Sequence, residues 1–506
     1  MGLKDRIKNS NFLNNIRGKK FFYSPFFAFL VCVYIFVCWT TNINVYAVPF
    51  IALIGFLILL TCKDISPILI LFFSVMQVFK TPSIDKQTLT TIVVCFSVIM
   101  LGIIINIIRF RPFRKGRVSG LLVACFAFGL AIALSGVTIS NREPNLIIYT
   151  VLFGLSIMII SILFAYSLGL DNPDRRGPIK TVSTAIMSSA LIASAQLLFI
   201  IFSSGHPVDV ISGKLPLDAG YASSSYLANL LGRAVPIFIY LATRHKKYAF
   251  LWLWPAYICG IFILLLSQRM ALLIAFIIAV IALVLFLKNI KVSRVEWVCT
   301  VIMLLGITFF FAAFMYKRFN EMFVQLFQQS RFENDVLAFW KMGLTDFANN
   351  PIFGAGFKFD PEVANQSLLY DVKFLWYRNS LIQSLGSFGL FGFICFGFVL
   401  YRQYQAFSRV IRRSCRQNIL INSKITDVDF YGNKITVNKI DYLVIAVMLS
   451  LIFIHIDSLY DNTFFTAFDL IEILAISFAV LNINKLDNAQ RFFGDQISDK
   501  VREKKK

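Results

Sequence analysis

Met270 to Leu287 reads MALLIAFIIAVIALVLFL, a run without a charge, an amide or a hydroxyl. At 1.5 Å per residue, a helix of about 18–20 residues crosses the ~30 Å of hydrocarbon in a bilayer. An uncharged run this long is hard to place in a soluble core. The chain around it agrees: 58% of its 506 residues are hydrophobic and 15% charged, where a soluble domain has about a quarter charged. Similar windows lie at 25–41, 46–62, 65–79, 88–108, 118–139, 146–169, 181–203, 223–242, 248–266, 296–314, 380–401, 441–459 and 463–483. They predict an all-α integral membrane protein with about 14 transmembrane helices. The short window 65–79 is expected to be tilted or re-entrant.

The net charge of +22 raises nucleic acid as a partner. Its distribution argues against that, because the basic residues form short clusters between apolar runs, as a positive-inside bias does. With residues 1–24 as a cytoplasmic segment, the basic loops 109–117, 171–180, 243–247, 288–294 and 402–416 and the tail 484–506 all fall inside. Residues 25–314 then hold helices 1–11, residues 315–379 form a large external loop, and 380–483 hold helices 12–14 with a basic cytoplasmic loop at 402–440. Residues 315–378 carry seven Lys/Arg against seven Asp/Glu, and a long balanced segment is exported without opposing the bias. The expected location is a membrane, with both termini cytoplasmic and the long loop on the outer face. The first apolar run reads as a signal anchor. The nine cysteines show no metal-type pairing and none falls in the large outer loops, so no disulfide framework is expected.

The polar residues placed outside carry what chemistry there is. Arg269 closes the turn Ser267-Gln268-Arg269 between two spans. It reads either as a snorkelling interfacial arginine or as a planar fork for phosphate. In the long loop Arg331 precedes Phe332, Val336, Phe339, Gly343 and Phe347, whose helical spacing predicts an amphipathic helix over 332–348 that also carries Trp340. Asn350-Pro351 ends it, and Gly354 and Gly356 make a turn. Tyr377-Arg378-Asn379 leads back into the membrane, followed by Gly386, Gly389 and Gly392, which permit close helix packing. A purely structural loop with a surface helix accounts for the same residues. Of the histidines, His245 lies in an inside basic loop and His206 outside. His455 stands near the outer end of its span with Asp457 and Asp461, a cluster that is costly unless paired or functional.

The order is an outer arginine between spans, a long loop with Arg and Trp, then Asn350-Pro351-Ile352-Phe353-Gly354-Ala355-Gly356 and the Asn379-to-Gly392 pattern. It resembles the O-antigen ligase and Wzy-type polysaccharide polymerase superfamily over roughly residues 220–400. The resemblance implies a membrane glycosyltransferase of the bacterial inner membrane, its active site on the outer face, with an undecaprenyl-pyrophosphate-linked oligosaccharide as donor and no metal, nucleotide sugar or other cofactor. Membrane lipid and a chain-length regulator are the implied partners. It casts Arg269 and Arg331 as the arginines that hold pyrophosphate, with Gln268 an insertion in the Ser-Arg turn. Ligases carry a histidine, their proposed base, where this chain has Arg378, which favours polymerase over ligase. The candidate catalytic residues are thus Arg269, Arg331, Arg378, His455 and Asp457, and the candidate substrate-binding residues Trp340, Asn350, Gly354, Gly356, Tyr377 and Asn379. Cations suit a leaving pyrophosphate, and the acceptor hydroxyl needs a base. The outer carboxylates Glu333, Asp335, Asp346, Asp360 and Glu362 form no Asp-x-Asp pair. A lipid-linked oligosaccharide flippase is the rival from another class. It needs charges along a pathway through the membrane, and the spans read as nearly charge-free.

The topology is open to direct test. A cysteine introduced at Asn365 is expected to react with a membrane-impermeant thiol reagent in intact cells, and labelling only after membrane disruption would reverse the orientation.

Overall fold

The computed structural model of the protein describes residues 19–79, 86–110, 119–138, 144–168, 177–212, 217, 219–220, 223–244, 249–287, 302, 332–358, 377–421, 427–428, 434–435, 442–461, 465 and 469–482. Helices dominate. They are α1 (Pro25–Thr41), α2 (Asn44–Thr61), α3 (Ile68–Ser74), α4 (Lys86–Phe110), α5 (Gly120–Ser135), α6 (Pro144–Ser167) and α7 (Gly177–Ser203). Then come α8 (Ser224–Gly232), α9 (Val235–Arg244), α10 (Ala249–Leu265), α11 (Arg269–Leu287), α12 (Phe332–Asn349), α13 (Ser380–Ile421), α14 (Tyr442–Asp461) and α15 (469–482). Among the described residues seven helical stretches are long and apolar enough to cross a membrane, and five shorter apolar helices stand beside them. The window 296–314 lies outside the described residues apart from Ile302. The short window 65–79 is indeed brief, α3 ending in a 3₁₀ turn at Val75–Val78.

Local chemistry sets several starts. Ser24 accepts a bond from the Phe27 N–H, with Pro25 in the first turn of α1. Ser119 and Ser223 cap α5 and α8 in the same way. Apolar side chains face both ways, as a bilayer demands. Along α11, Leu273, Phe276, Val280 and Val284 are exposed, whereas Ala271, Ala275, Ile278 and Ala282 are buried. Bulk points to lipid and small residues let neighbouring helices approach. Polar side chains join the spans internally: Asn106 donates to the Leu59 and Cys62 carbonyls at 2.6 and 2.8 Å, and Asn482 donates to the Leu168 carbonyl at 2.7 Å. Seven cysteines among the described residues are free.

Two findings depart from the sequence reading. The basic stretch that begins at Arg402 continues as helix to Ile421, because no Gly or Pro falls between 402 and 421 and Ala406, Phe407 and Val410 remain buried at helical spacing. The spans are also not charge-free. Arg233 lies fully buried between α8 and α9, where Pro236 has no N–H to offer the preceding turn. Its guanidinium meets Asp469 at 2.8 Å and Glu472 at 2.6 Å on α15. Its carbonyl accepts from the Ser450 hydroxyl at 2.6 Å. Asn229, one turn earlier, donates to Asp457 at 2.6 Å. One network thus ties α8, α14 and α15 together inside the bundle.

Removing the cation strands two buried carboxylates, a change that costs about 3–5 kcal/mol in buried pairs. Arg233→Met is expected to lower the thermal midpoint of the lipid-embedded protein sharply, and the added pair Asp469→Asn with Glu472→Gln to recover part of it. A wild-type midpoint for the single variant would mean that other groups satisfy the carboxylates.

Candidate functional site

Ring contacts fix which ends of the helices meet. Phe286, at the end of α11, packs on Tyr442, at the start of α14, with centroids 5.7 Å apart. The two packed helices therefore run antiparallel, and Arg269 shares an end of the bundle with His455 and Asp457. Phe465, just beyond α14, packs on Phe388 and Phe396 of α13 at 5.5 and 5.7 Å. The entry to α13 thus lies at that same end, with Arg378 immediately before it.

The long loop meets the bundle through a broken helix. Gly389 interrupts α13 with φ 67° and ψ −168°, a conformation essentially reserved for glycine. The interruption frees backbone groups on both sides, and the chain after Asn350 takes them up. The Ala355 and Gly356 N–H groups donate to the carbonyls of Gly386 and Ser387 at 2.9 and 2.8 Å. In return the Leu390 and Phe391 N–H groups donate to the carbonyls of Pro351 and Ile352 at 2.8 and 3.2 Å. Gly354 is held at φ 74°, and a Cβ there would stand 2.4 Å from the Ser387 and Phe388 backbone. Phe357 then drops into a slot between Phe388, Phe153 and Tyr149, at 5.3, 5.5 and 5.8 Å. Asn350 contributes its backbone, its carbonyl accepting from the Gly354 N–H at 2.9 Å.

The expected amphipathic helix is present as α12, with Leu337, Met342 and Leu344 exposed. Its Gly343 comes against Gly386 so closely that a Cβ on Gly386 would stand 2.7 Å from the Gly343 carbonyl. The ring of Tyr377 wedges beside this contact. Tyr377 is 1% exposed. Its N–H donates to Gln383 Oε1 at 2.9 Å, and its hydroxyl donates to Asp346 Oδ2 on α12. Burial, followed by the Asp346 carboxylate, pushes the phenol far above its ordinary value, so it stays a donor at every physiological pH. The second oxygen of Asp346 holds Lys358 Nζ at 2.5 Å. Asn379 caps α13, its Oδ1 accepting from the Leu381 and Ile382 N–H groups at 2.9 and 3.2 Å.

Between these anchors Arg378 is exposed, at φ 50°. Its guanidinium rests over the Phe339 ring at 5.1 Å, and among the described residues no carboxylate pairs with it. Arg269 is half-buried, follows Ser267 at φ 58° and likewise has no acidic partner among the described residues. Trp340 is half-buried, with an indole N–H that finds no acceptor among the described residues. His455 is half-buried. Asp457 is buried on Asn229 rather than paired directly with an arginine. His206 is an exposed residue 4.0 Å from Asp209. Arg331 and His245 lie outside the described residues. Sequence reading placed Asp346 only among the outer carboxylates and Gln383 only within the Asn379-to-Gly392 pattern, and missed Lys358, Arg233, Asp469 and Glu472. The signal for the last two was available, since Asp469 and Glu472 are spaced i, i+3 on one helical face.

A multi-span helical membrane protein in which Arg269 and Arg378, neither with an acidic partner among the described residues, gather at one end beside a loop docked on a broken helix is the class these features define. Residues 254–397 match the O-antigen ligase family model, which supports the resemblance to the O-antigen ligase and Wzy-type superfamily that the motifs carry, and with it a ligase- or polymerase-type membrane function. The matched stretch holds Arg269, α12, the docked loop and the break in α13. No curated protein matches the chain.

Gly354→Ala tests the docking. A left-handed residue other than glycine costs roughly 1–2 kcal/mol, and here the methyl also meets backbone. Limited proteolysis within 315–379 is expected to be faster than in the wild type, and equal rates would show that the loop docks by other means.

Proposed function

We propose that the protein is a polysaccharide polymerase. It transfers a growing glycan from undecaprenyl pyrophosphate to a hydroxyl of a lipid-linked repeat unit, on the outer face of the bacterial cytoplasmic membrane. The observation that carries this reading is Arg378, an exposed and unpaired cation at the head of α13, within the matched domain and where ligases have histidine. In the reaction the acceptor oxygen bonds to the anomeric carbon as the bond from that carbon to phosphate breaks. The electron pair leaves with the lipid pyrophosphate. Arg269, Arg331 and Arg378 neutralise that charge with paired N–H bonds, which act strongly beside hydrocarbon, where the effective dielectric is low. The acceptor proton goes to a base, for which His455 is the candidate at this end of the bundle. Trp340 and the exposed face of α12 border the glycan path.

Ligation to a different acceptor is the second reading, since it uses the same donor chemistry and the family match covers it. The flippase reading gains the buried charges of Arg233, Asp469 and Glu472, yet these are paired with one another, at 2%, 0% and 5% side-chain exposure. They supply no open pathway, and the domain match favours transfer.

Purified protein in lipid, given lipid-linked repeat units alone, is expected to extend chains in excess chelator and without nucleotide. Arg269→Ala is expected to cut extension by about 10²–10³-fold, the effect of removing one donor to a developing anion, and Arg269→Lys to restore only part, since lysine lacks the fork. Polymer of wild-type length from Arg269→Ala would remove that residue from the mechanism. Loss of extension in chelator, restored by magnesium, would move charge neutralisation to a metal.

A further inference from the structure

Arg378 occupies backbone space that an arginine avoids. Among the described residues the non-glycine positions with positive φ are Asn42, Ser267 and Arg378. Asparagine tolerates this region, and a serine there closes the tight turn before Arg269. An arginine at φ 50° is strained and persists only where its surroundings over-determine it. The surroundings are explicit. On one side Tyr377 is fixed at both ends, by Gln383 on its N–H and by Asp346 on its hydroxyl. Gln383 is itself held, its Nε2 donating to the Ser387 hydroxyl at 2.7 Å. On the other side Asn379 caps α13. The guanidinium projects from between these anchors onto the Phe339 ring, a face that attracts a cation without neutralising it.

We infer that Asp346 is a positioning residue: through the hydroxyl of Tyr377 it holds Arg378 in the left-handed conformation that presents its guanidinium to a pyrophosphate. The inference rests on the reading of Arg378 as a pyrophosphate-binding group. Asp346 is 7% exposed and both its oxygens are taken, one by Tyr377 and one by Lys358. It is therefore engaged as a strut and not as the base that abstracts the acceptor proton. Its bond to Lys358 joins the same node to the loop docked on the break in α13. The helix, the loop and the arginine thus share one carboxylate.

The test is a double-mutant cycle on the full chain in lipid vesicles, with two readouts per folded molecule: affinity for inorganic pyrophosphate and extension of lipid-linked repeat units. Tyr377→Phe and Arg378→Ala are each expected to weaken pyrophosphate binding about 10-fold and to slow extension by up to about 10²-fold, the scale of a misplacement near 1 Å. Combined, they are expected to do no more than Arg378→Ala alone, because a strut has nothing left to position. A purely structural role predicts effects that multiply, and that result overturns the proposal. Asp346→Asn carries the same comparison should Tyr377→Phe fail to fold. Non-additive binding without any chain extension by the wild type would leave the positioning intact and overturn the polymerase reading. Multiplicative effects with normal wild-type extension would do the reverse. A wild type that does not bind pyrophosphate overturns the positioning of Arg378 for that ligand.

Discussion

A peptide group surrounded by hydrocarbon must find its partner within the protein. The break in α13 at Gly389 poses that demand at one point, and the segment 351–356 meets it by exchanging four backbone hydrogen bonds with residues 386–391. Most of the candidate site follows from this exchange. It requires the left-handed glycine at 354, because the loop backbone lies against the helix backbone. It seats Phe357 among Phe153, Tyr149 and Phe388. It brings Lys358 to Asp346, and so couples the loop to α12. The Gly343–Gly386 contact then closes α12 onto α13. An irregular segment is tolerated at the membrane only where protein covers it, and here the loop and the helix cover one another.

The arginines divide by what surrounds them. Arg233 is paired: two carboxylates meet its Nη1 and almost no solvent reaches it. Breaking such a buried pair costs much, and the group holds α8, α14 and α15 in register. Arg269 and Arg378 stand at the other extreme. Neither has a carboxylate among the described residues, both follow or occupy a left-handed position, and both lie at one end of the bundle. An unneutralised cation beside a low-dielectric slab attracts anions strongly. The contrast separates architecture from recognition more sharply than residue type does.

The apolar helices were legible in the sequence, seven of them long enough among the described residues to cross a membrane, because length and apolarity are all that a bilayer asks of a span. The helix α12 was legible too, from the spacing of Phe332, Val336, Phe339, Gly343 and Phe347. The turn at Ser267 followed from the shortness of the polar interval. What the Asn-Pro and glycine motifs do was not legible, because their bonds reach a helix some thirty residues onward and no local rule pairs 355 with 386. The same holds for Asp346, one of several outer carboxylates until Tyr377 and Lys358 are seen to converge on it. Arg233 escaped for another reason. A single charge in an apolar window looks diluted, and its partners lie more than two hundred residues away.

Arginine at 378 constrains the chemistry further. A guanidinium does not give up its proton in proteins, so it cannot take over the role of a histidine that accepts one. Whatever this position contributes is electrostatic, and proton removal must come from elsewhere. Among the described residues the buried carboxylates Asp346, Asp457 and Asp469 are engaged, with Tyr377 and Lys358, with Asn229 and with Arg233 respectively. Among the described side chains at this end, His455 is the proposed base, an imidazole with partial exposure. A transfer in which leaving-group stabilisation does most of the work asks little of its base. On the proposed polymerase reading, cations at 269 and 378 and the imidazole of His455 are chemically compatible roles, with a cation at the position where the resemblance puts the ligase histidine.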